Sequence, residues 1–190
     1  DLDEVEENLA EAVNDPTVAS VVMHFDSPGG VITGVPELAA KIRAWSTLKP
    51  IHAYCDTLCA SAAYWLASAC TSITCAPTAD IGSIGVYMAL VDESENWKME
   101  GYKLVLIKSG DHKADGISGA PVYDSAVRRW QAECDTIYAM FTSDVRTSRP
   151  GVADTAMQGQ CFMGEAAKAA QLVDEIIPDL NSLVAQILAA

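Results

Sequence analysis

The sequence has no long hydrophobic run and no recognisable export signal. None of its apolar stretches reaches the length of about 18 residues that a membrane-spanning helix requires. The N-terminal segment DLDEVEENLAEAVN has neither the basic start nor the apolar core of a secretory signal. We therefore expect no membrane segment in this chain. Because it opens without an initiator Met, we expect the full-length product to carry residues upstream, and an anchor there would make that product membrane-associated.

Positive charge is also scarce. Twelve Lys and Arg residues stand against 26 Asp and Glu residues, which gives a net charge of −14. A surface of this sign repels phosphate backbones, so we expect no nucleic-acid partner. The acidic residues are dense in the first 14 positions, where no basic residue occurs, and this pattern predicts a solvated helix face.

Linker tracts, internal repeats and zinc-type cysteine spacings are absent as well. Half of the residues are hydrophobic, so residues 1–190 are expected to bury one core and form a single domain. The cysteines lack the two-residue spacing of structural zinc knuckles and lie in apolar context, which predicts buried reduced thiols. We expect no metal and no cofactor. The cysteines are Cys55, Cys59, Cys70, Cys75, Cys134 and Cys161.

What the sequence does contain is an alternation of apolar strands with helical patterns. This alternation predicts an α/β fold with a parallel sheet layered by helices. The predicted helices cover residues 35–48 and 122–148 and a short segment between Asp92 and Gly101, and helical patterns also occur near both ends of the chain. The predicted strands are 18–25, 51–55, 72–75, 84–90 and 103–109.

Two places in this pattern could carry chemistry. The loop DSPGG follows the first strand, and its Gly29 and Gly30 can adopt dihedrals that expose backbone N–H groups to a developing oxyanion. Ser61 lies at the start of a helix in TLCASAAYWLAS. The residue type allows two interpretations, because serine is a preferred helix cap and also a nucleophile when a base is near.

Candidates for that base are few. His24 and His52 lie in apolar strands and are interpreted as structural. His112 and Lys113, neighbours in the loop GDHKADG, both remain candidates. Lys113 could serve only if its surroundings favoured the neutral amine.

Four motifs in order resemble the signal peptide peptidase A family of serine-lysine peptidases: SPGGVITG, ASAAYW, DIGSIGV and IKSGDHKADG. Ser61 precedes Ser83 by 22 residues and Lys113 by 52 residues, which fits the arrangement of that family. The resemblance extends from about Val18 to Val173.

The resemblance implies a Clp/crotonase-like α/β superhelix of β-β-α units and a single serine-peptidase domain. It implies that Ser61 is the nucleophile and Lys113 the general base, with Ser83 supporting the lysine amine. The backbone amides of Gly30 and Ala62 would form the oxyanion hole. A closed, ring-like homo-oligomer is the expected assembly.

Within the family, the segment around HKADG is most similar to phage head-maturation proteases of the protein C type. Signal peptide peptidases commonly have Gly-Gly after the serine, whereas this chain has Ala62 and Ala63. The expected function is therefore processing of phage scaffold and head proteins in the bacterial cytoplasm. The alternatives are degradation of cleaved signal peptides, an acyl-CoA enzyme of the crotonase fold, or a catalytically silent assembly module.

Overall fold

A computed structural model of the chain describes residues 1–189. The chain divides into two compact units. The first unit comprises Asp1–Gly85 together with the residues from Ala139 onward, and the second comprises Val86–Tyr138. That all 190 residues act as one peptidase domain stays a prediction.

The first unit holds every strand assigned within residues 1–189. In chain order its elements are α1 (Leu2–Asn14), β1 (Val21–Ser27), α2 (Val35–Ser46), β2 (Ile51–Ala60), α3 (Ala62–Ser68), β3 (Ser72–Cys75) and β4 (Asp80–Gly82). The second unit contains α4 (Ser94–Met99) and most of α5 (Asp124–Ser148). The first unit then continues with a 3₁₀ turn (Asp154–Ala156), β5 (Cys161–Met163), α6 (Gly164–Ala169), β6 (Glu175–Ile176) and α7 (Leu180–Ala189).

Strand β2 is the centre of the sheet. Its first half pairs in parallel with β1 and β3, and its last three residues pair in parallel with β4. Strand β6 extends the sheet in parallel beyond β3, and β5 pairs antiparallel with β4. The largely parallel sheet that the alternating pattern predicted is confirmed. Because β1, β2 and β4 run in the same direction, their carboxyl ends meet at one edge.

Helix α3 is anchored by two large aromatic side chains. The Trp65 ring stacks on Phe141 with centroids 4.5 Å apart, and its indole N–H donates to Asp144 Oδ2 over 2.8 Å. The Tyr64 hydroxyl donates to the Leu172 carbonyl over 2.9 Å. Burial of each such side chain contributes about 1.5–3 kcal/mol, so α3 is held firmly to α5 and to the segment after α6.

Two predicted strands are wrong. Residues 84–90 and 103–109 lie outside every strand assigned within residues 1–189, and the backbone groups of 86–91 and 103–107 make no hydrogen bond there. The apolar composition identified extended segments, but a strand also needs a neighbour, and the second unit supplies none within the described chain. The strands β4 and β5 were not predicted, because three residues are too few to show the alternation of apolar and polar side chains that identifies a strand.

The cysteine prediction is confirmed in part. The four cysteines from Cys55 to Cys75 are free and buried, and burial raises the pKa of the Cys55 thiol to about 12. Cys134 is half-buried, and Cys161 is exposed. Cys161 differs because it lies on β5, the outer strand of the sheet, where one side has no neighbouring strand.

The end of α5 is tied to the sheet by an ion pair. The Arg149 guanidinium donates to both carboxylate oxygens of Asp174 over 2.8 and 2.7 Å, and Asp174 Oδ2 also accepts from the Ile73 N–H over 2.8 Å. Burial raises the pKa of the Asp174 carboxyl, but the hydrogen bonds from Arg149 and Ile73 outweigh burial, so the pKa is lowered overall.

Asp174→Asn should therefore lower the melting temperature by several degrees at pH 7. A carboxyl with a depressed pKa stabilises the fold fully above its ordinary pKa of 3.8, and this stabilisation is lost as the pH falls below that value. The difference between wild type and variant should shrink in that acidic range, as measured by thermal unfolding. Asp154→Asn, which breaks an exposed pair with Arg146, is the matched control and should change little.

Candidate active site

Ser61 lies at a sharp turn from β2 into α3. Its backbone has φ 55° and ψ −125°, a conformation that is costly for a residue with a side chain. The Ser61 N–H donates to the Gly82 carbonyl over 2.8 Å, which fixes the turn to β4. Ser61 occupies the N-cap position of α3, but its side chain makes no capping hydrogen bond. A strained strand-to-helix turn that presents a serine hydroxyl is typical of hydrolase nucleophiles.

The Gly29–Gly30 loop packs directly on this turn. A Cβ atom added to Gly29 would lie 2.7 Å from Ser61 Cβ and 2.8 Å from both the Ala60 carbonyl oxygen and the Ala62 nitrogen. Gly29 also has φ 94°, so only glycine fits at this position. Within residues 1–189, the N–H groups of Gly30 and Ala62 make no hydrogen bond. One unpaired amide therefore directly follows Ser61, and the other follows the glycine that packs against it.

Ser83 reaches the same edge from β4. Gly82 is the register partner of Ala60, so Ser83 follows β4 just as Ser61 follows β2. Ser83 also has a positive φ of 50°, and its N–H donates to the Gln160 carbonyl over 2.8 Å. The structure thus brings Gly30, Ser61, Ala62 and Ser83 to the carboxyl ends of β1, β2 and β4.

A thiol two residues before Ser61 is not a competing nucleophile. Cys59 is fully buried in β2, and burial raises the pKa of its thiol well above the ordinary value. The reactive thiolate form is therefore negligible near neutral pH. Cys59 lies buried within β2, whereas the Ser61 hydroxyl lies at the turn that follows the strand.

Lys113 lies in the second unit, on an exposed loop between Gly110 and Gly116. Both glycines have positive φ, and the Lys113 N–H donates to the Gly110 carbonyl over 3.3 Å. The Lys113 amine makes no hydrogen bond or ion pair within residues 1–189. The pairing of this amine with Ser61 stays a prediction.

His112, the rival base, is already engaged. Its Nδ1 lies 3.0 Å from Asp115 Oδ2, and the same oxygen lies 3.3 Å from a nitrogen of Arg129. The loop that carries Lys113 is thereby attached to α5. Because this pairing uses only one ring nitrogen, His112 and Lys113 both remain candidates for the base.

Two polar pairs at this edge were missed by the sequence interpretation. His24 Nε2 lies 2.9 Å from Asp56 Oδ1, and the Thr57 hydroxyl donates to Asp26 Oδ1 over 2.5 Å. His24 was interpreted only as a structural residue of an apolar strand, yet its side chain is 43% exposed. The available signal was the appearance of acidic residues at the ends of both strands, in HFDS and CDTL.

Neither a metal site nor a membrane helix is found in the part of the chain that the structure describes. No three His, Cys, Asp or Glu side chains converge there to hold an ion. Likewise, none of its helices has the length and apolar character needed to cross a bilayer.

Comparison with known proteins assigns the chain to a family. The sequence profile of peptidase family S49 matches residues 43–185, which is most of the chain. The chain belongs to peptidase family S49. The resemblance drawn from the four sequence motifs is thereby confirmed.

Two relatives of this S49 chain come from bacteriophages. The head-tail preconnector protein GP5 of Enterobacteria phage P21 is 34% identical over 171 residues, covering 89% of this chain and 34% of that protein. The capsid assembly protease C of Escherichia phage lambda is 31% identical over 179 residues, covering 92% of this chain and 40% of that protein. The chain thus spans between a third and two fifths of the length of these relatives.

Solved structures confirm the fold. The 1510-N membrane-bound stomatin-specific protease, in complex with a substrate peptide, matches with a TM-score of 0.54 and 16% identity over 96% of this chain and 71% of that one. An enoyl-CoA hydratase/isomerase family protein from Silicibacter pomeroyi matches with a TM-score of 0.57 and 15% identity over 100% of this chain and 69% of that one. The expected Clp/crotonase-like α/β fold is confirmed, and at these identities the likeness concerns the fold alone.

Gly29→Ala should disable the site while Gly34→Ala should not. Both positions have φ near +90° and share the strain of a left-handed backbone, but a Cβ at Gly34 meets nothing nearer than Leu2 Cδ1 at 3.4 Å. A Cβ at Gly29 must instead displace the backbone around Ser61. We expect labelling of Ser61 by a fluorophosphonate to fall about 10²-fold or more in Gly29→Ala and to persist in Gly34→Ala, with mass spectrometry as the readout.

Proposed function

We propose that this S49 chain is a serine endopeptidase in which Ser61 is the nucleophile and Lys113 the general base. The observation that carries the proposal is the contact of the Gly29 backbone with the Ser61 turn. That contact brings the loop of Gly29 and Gly30 to the Ser61 turn, and within residues 1–189 the Ser61 hydroxyl and the amides of Gly30 and Ala62 make no hydrogen bond. A hydroxyl with two adjacent N–H donors is the arrangement that acyl transfer requires.

In this mechanism the neutral Lys113 amine accepts the Ser61 hydroxyl proton as Oγ attacks the scissile carbonyl carbon. The C–O bond forms, and the oxyanion is stabilised by the two amides. The C–N bond then breaks, and the proton passes from the lysine to the leaving amine. Water, deprotonated by the same lysine, hydrolyses the acyl-enzyme. The Ser83 hydroxyl orients the lysine amine.

The substrates on this proposal are proteins of a phage head or its scaffold. The capsid assembly protease C of phage lambda supports this choice by its name and its 31% identity. Such a protease acts in the cytoplasm of the infected bacterium. An acyl-CoA substrate is disfavoured, because a net charge of −14 repels the CoA phosphates. The likeness to an enoyl-CoA hydratase/isomerase family protein extends only to the fold.

Ser61→Ala should abolish both peptide cleavage and fluorophosphonate labelling, because no other group supplies the attacking oxygen. Lys113→Ala should reduce turnover by about 10²–10⁴-fold, the usual contribution of a general base. Lys113→Arg should be equally inactive, since a guanidinium keeps its proton. Lys98→Ala removes another exposed lysine of the second unit, outside segments 86–91 and 103–107, and is the matched control.

The measurement is a steady-state cleavage assay on folded variants, with circular dichroism to verify the fold. Activity that survived in Lys113→Ala would contradict the assignment of the base. Activity lost in that variant but retained in His112→Ala would leave Lys113 as the base.

We also propose that copies of this chain associate through the extended segments 86–91 and 103–107. Their backbone N–H and C=O groups are unpaired within residues 1–189, and their apolar side chains are largely exposed, with Tyr87 at 90% and Ile107 at 98%. Unpaired apolar edges of this kind are self-complementary and pair with a second copy. The second unit also has six basic and nine acidic residues, so it carries little of the charge of −14 that would oppose association.

Ile107→Lys should shift the protein to a smaller oligomer, whereas Leu48→Lys should not. Both side chains are exposed in the single chain, at 98% and 75%, so neither change should alter monomer stability by more than about 0.5 kcal/mol. A lysine in a buried intersubunit contact, however, is strongly unfavourable. Light scattering coupled to size-exclusion chromatography measures the mass. Identical masses for wild type and Ile107→Lys would exclude this interface.

A further inference from the structure

The parallel pairing of β1 with β2 is interrupted just before the site. The two strands are in continuous register from Val21 opposite Ile51 to Phe25 opposite Cys55. The next pair is Ser27 with Cys59, so β2 places three residues opposite the single Asp26. Such a bulge changes where the two strands end relative to each other. The ends in question carry the Gly29–Gly30 loop and Ser61.

Two cross-strand bridges lie at this irregular region. On its outer side, Asp26 Oδ1 accepts from the Thr57 hydroxyl over 2.5 Å, and His24 Nε2 lies 2.9 Å from Asp56 Oδ1. All four side chains belong to residues on the exposed face of the strands. Exposed polar pairs contribute little to global stability. The two bridges lie at the register shift of this strand pair, which indicates a local role in fixing the geometry of the bulge.

A continuous series of contacts leads from the bulge to the nucleophile. Asp26 is followed by Ser27, whose Oγ accepts from the Gly29 N–H over 3.2 Å. Gly29 in turn packs against Ser61 and the Ala62 nitrogen. A shift of Asp26 along β2 would therefore be transmitted through Ser27 to Gly29 and the Ser61 turn.

We infer that Thr57 and Asp26 are positioning residues for the oxyanion hole, and that their bridge fixes the register of the bulge. This inference rests on the proposed peptidase function of Ser61. At a bulge the alternation of side chains no longer specifies a single register, so a side-chain bridge can decide it. An oxyanion donor must lie within about 2.7–3.1 Å of the developing charge, which makes the reaction sensitive to small shifts of the loop.

Thr57→Val tests the bridge, because valine keeps the shape of threonine and removes the hydroxyl. We expect kcat and the second-order rate of Ser61 phosphonylation to fall together by about 10–100-fold, as for a catalytic group displaced by up to an ångström. KM should stay within about twofold of the wild-type value, because the interaction lost is one made in the transition state. Thr57→Ser restores a donor and should recover most of the rate.

Ser72→Ala is the matched control. It removes a bridge of the same kind, between Ser72 Oγ and His52 Nδ1 at 2.8 Å, from the opposite end of β2. Its kcat should equal that of wild type. Melting temperatures of all variants should lie close together, because these groups are exposed or half-buried.

The possible results separate the two ideas. Wild-type labelling at Ser61 together with an unchanged rate in Thr57→Val would overturn the positioning role and leave the peptidase proposal intact. A Thr57→Ser variant as slow as Thr57→Val, or an equal loss in Ser72→Ala, would also overturn it, because packing or general loosening of the sheet would then explain the loss. A wild-type protein that neither cleaves peptides nor reacts at Ser61 would overturn both.

Discussion

The candidate site depends on the packing of the Gly29 backbone against the Ser61 turn. No side chain fits between them, because a Cβ on Gly29 would come within 2.8 Å of three atoms of that turn. Both residues adopt positive φ values, and such strain persists only where the surroundings over-determine the conformation. At Ser61 the surroundings restrain the backbone on both sides of the turn. The Ser61 N–H is bonded to β4, and α3 is fixed by the stacked Trp65 and by the hydrogen-bonded Tyr64.

The two units place the groups of the proposed reaction in different physical settings. The nucleophile and both amides lie at the end of a sheet with large buried side chains. Lys113, in contrast, lies on an exposed loop attached to α5 through Asp115 and Arg129. A neutral lysine amine is favoured by removal from water. The proposed association of copies through segments 86–91 and 103–107 would bury part of the second unit, which also holds the Lys113 loop.

Most secondary structure follows from local pattern. Strands β1, β2 and β3 and helices α2 and α5 occur where apolar runs and helical spacing predict them, and Pro50 separates α2 from β2. Segments 84–90 and 103–109 are the exception. Their composition fits a buried strand, but pairing depends on a neighbour that the sequence of one segment does not encode.

The sequence by itself determined the parallel α/β fold, the family, and the identity of Ser61 as the residue at a strand-to-helix turn. These depend on residue types and spacing along the chain, where periodicity and short motifs are informative. Only the tertiary structure decided that the Ser61 hydroxyl makes no capping bond, that Gly29 touches the serine turn, and that Thr57 and Asp26 meet across a bulge. Such contacts join residues about 30 positions apart through the register of two strands, and register is a property of the folded sheet rather than of either segment.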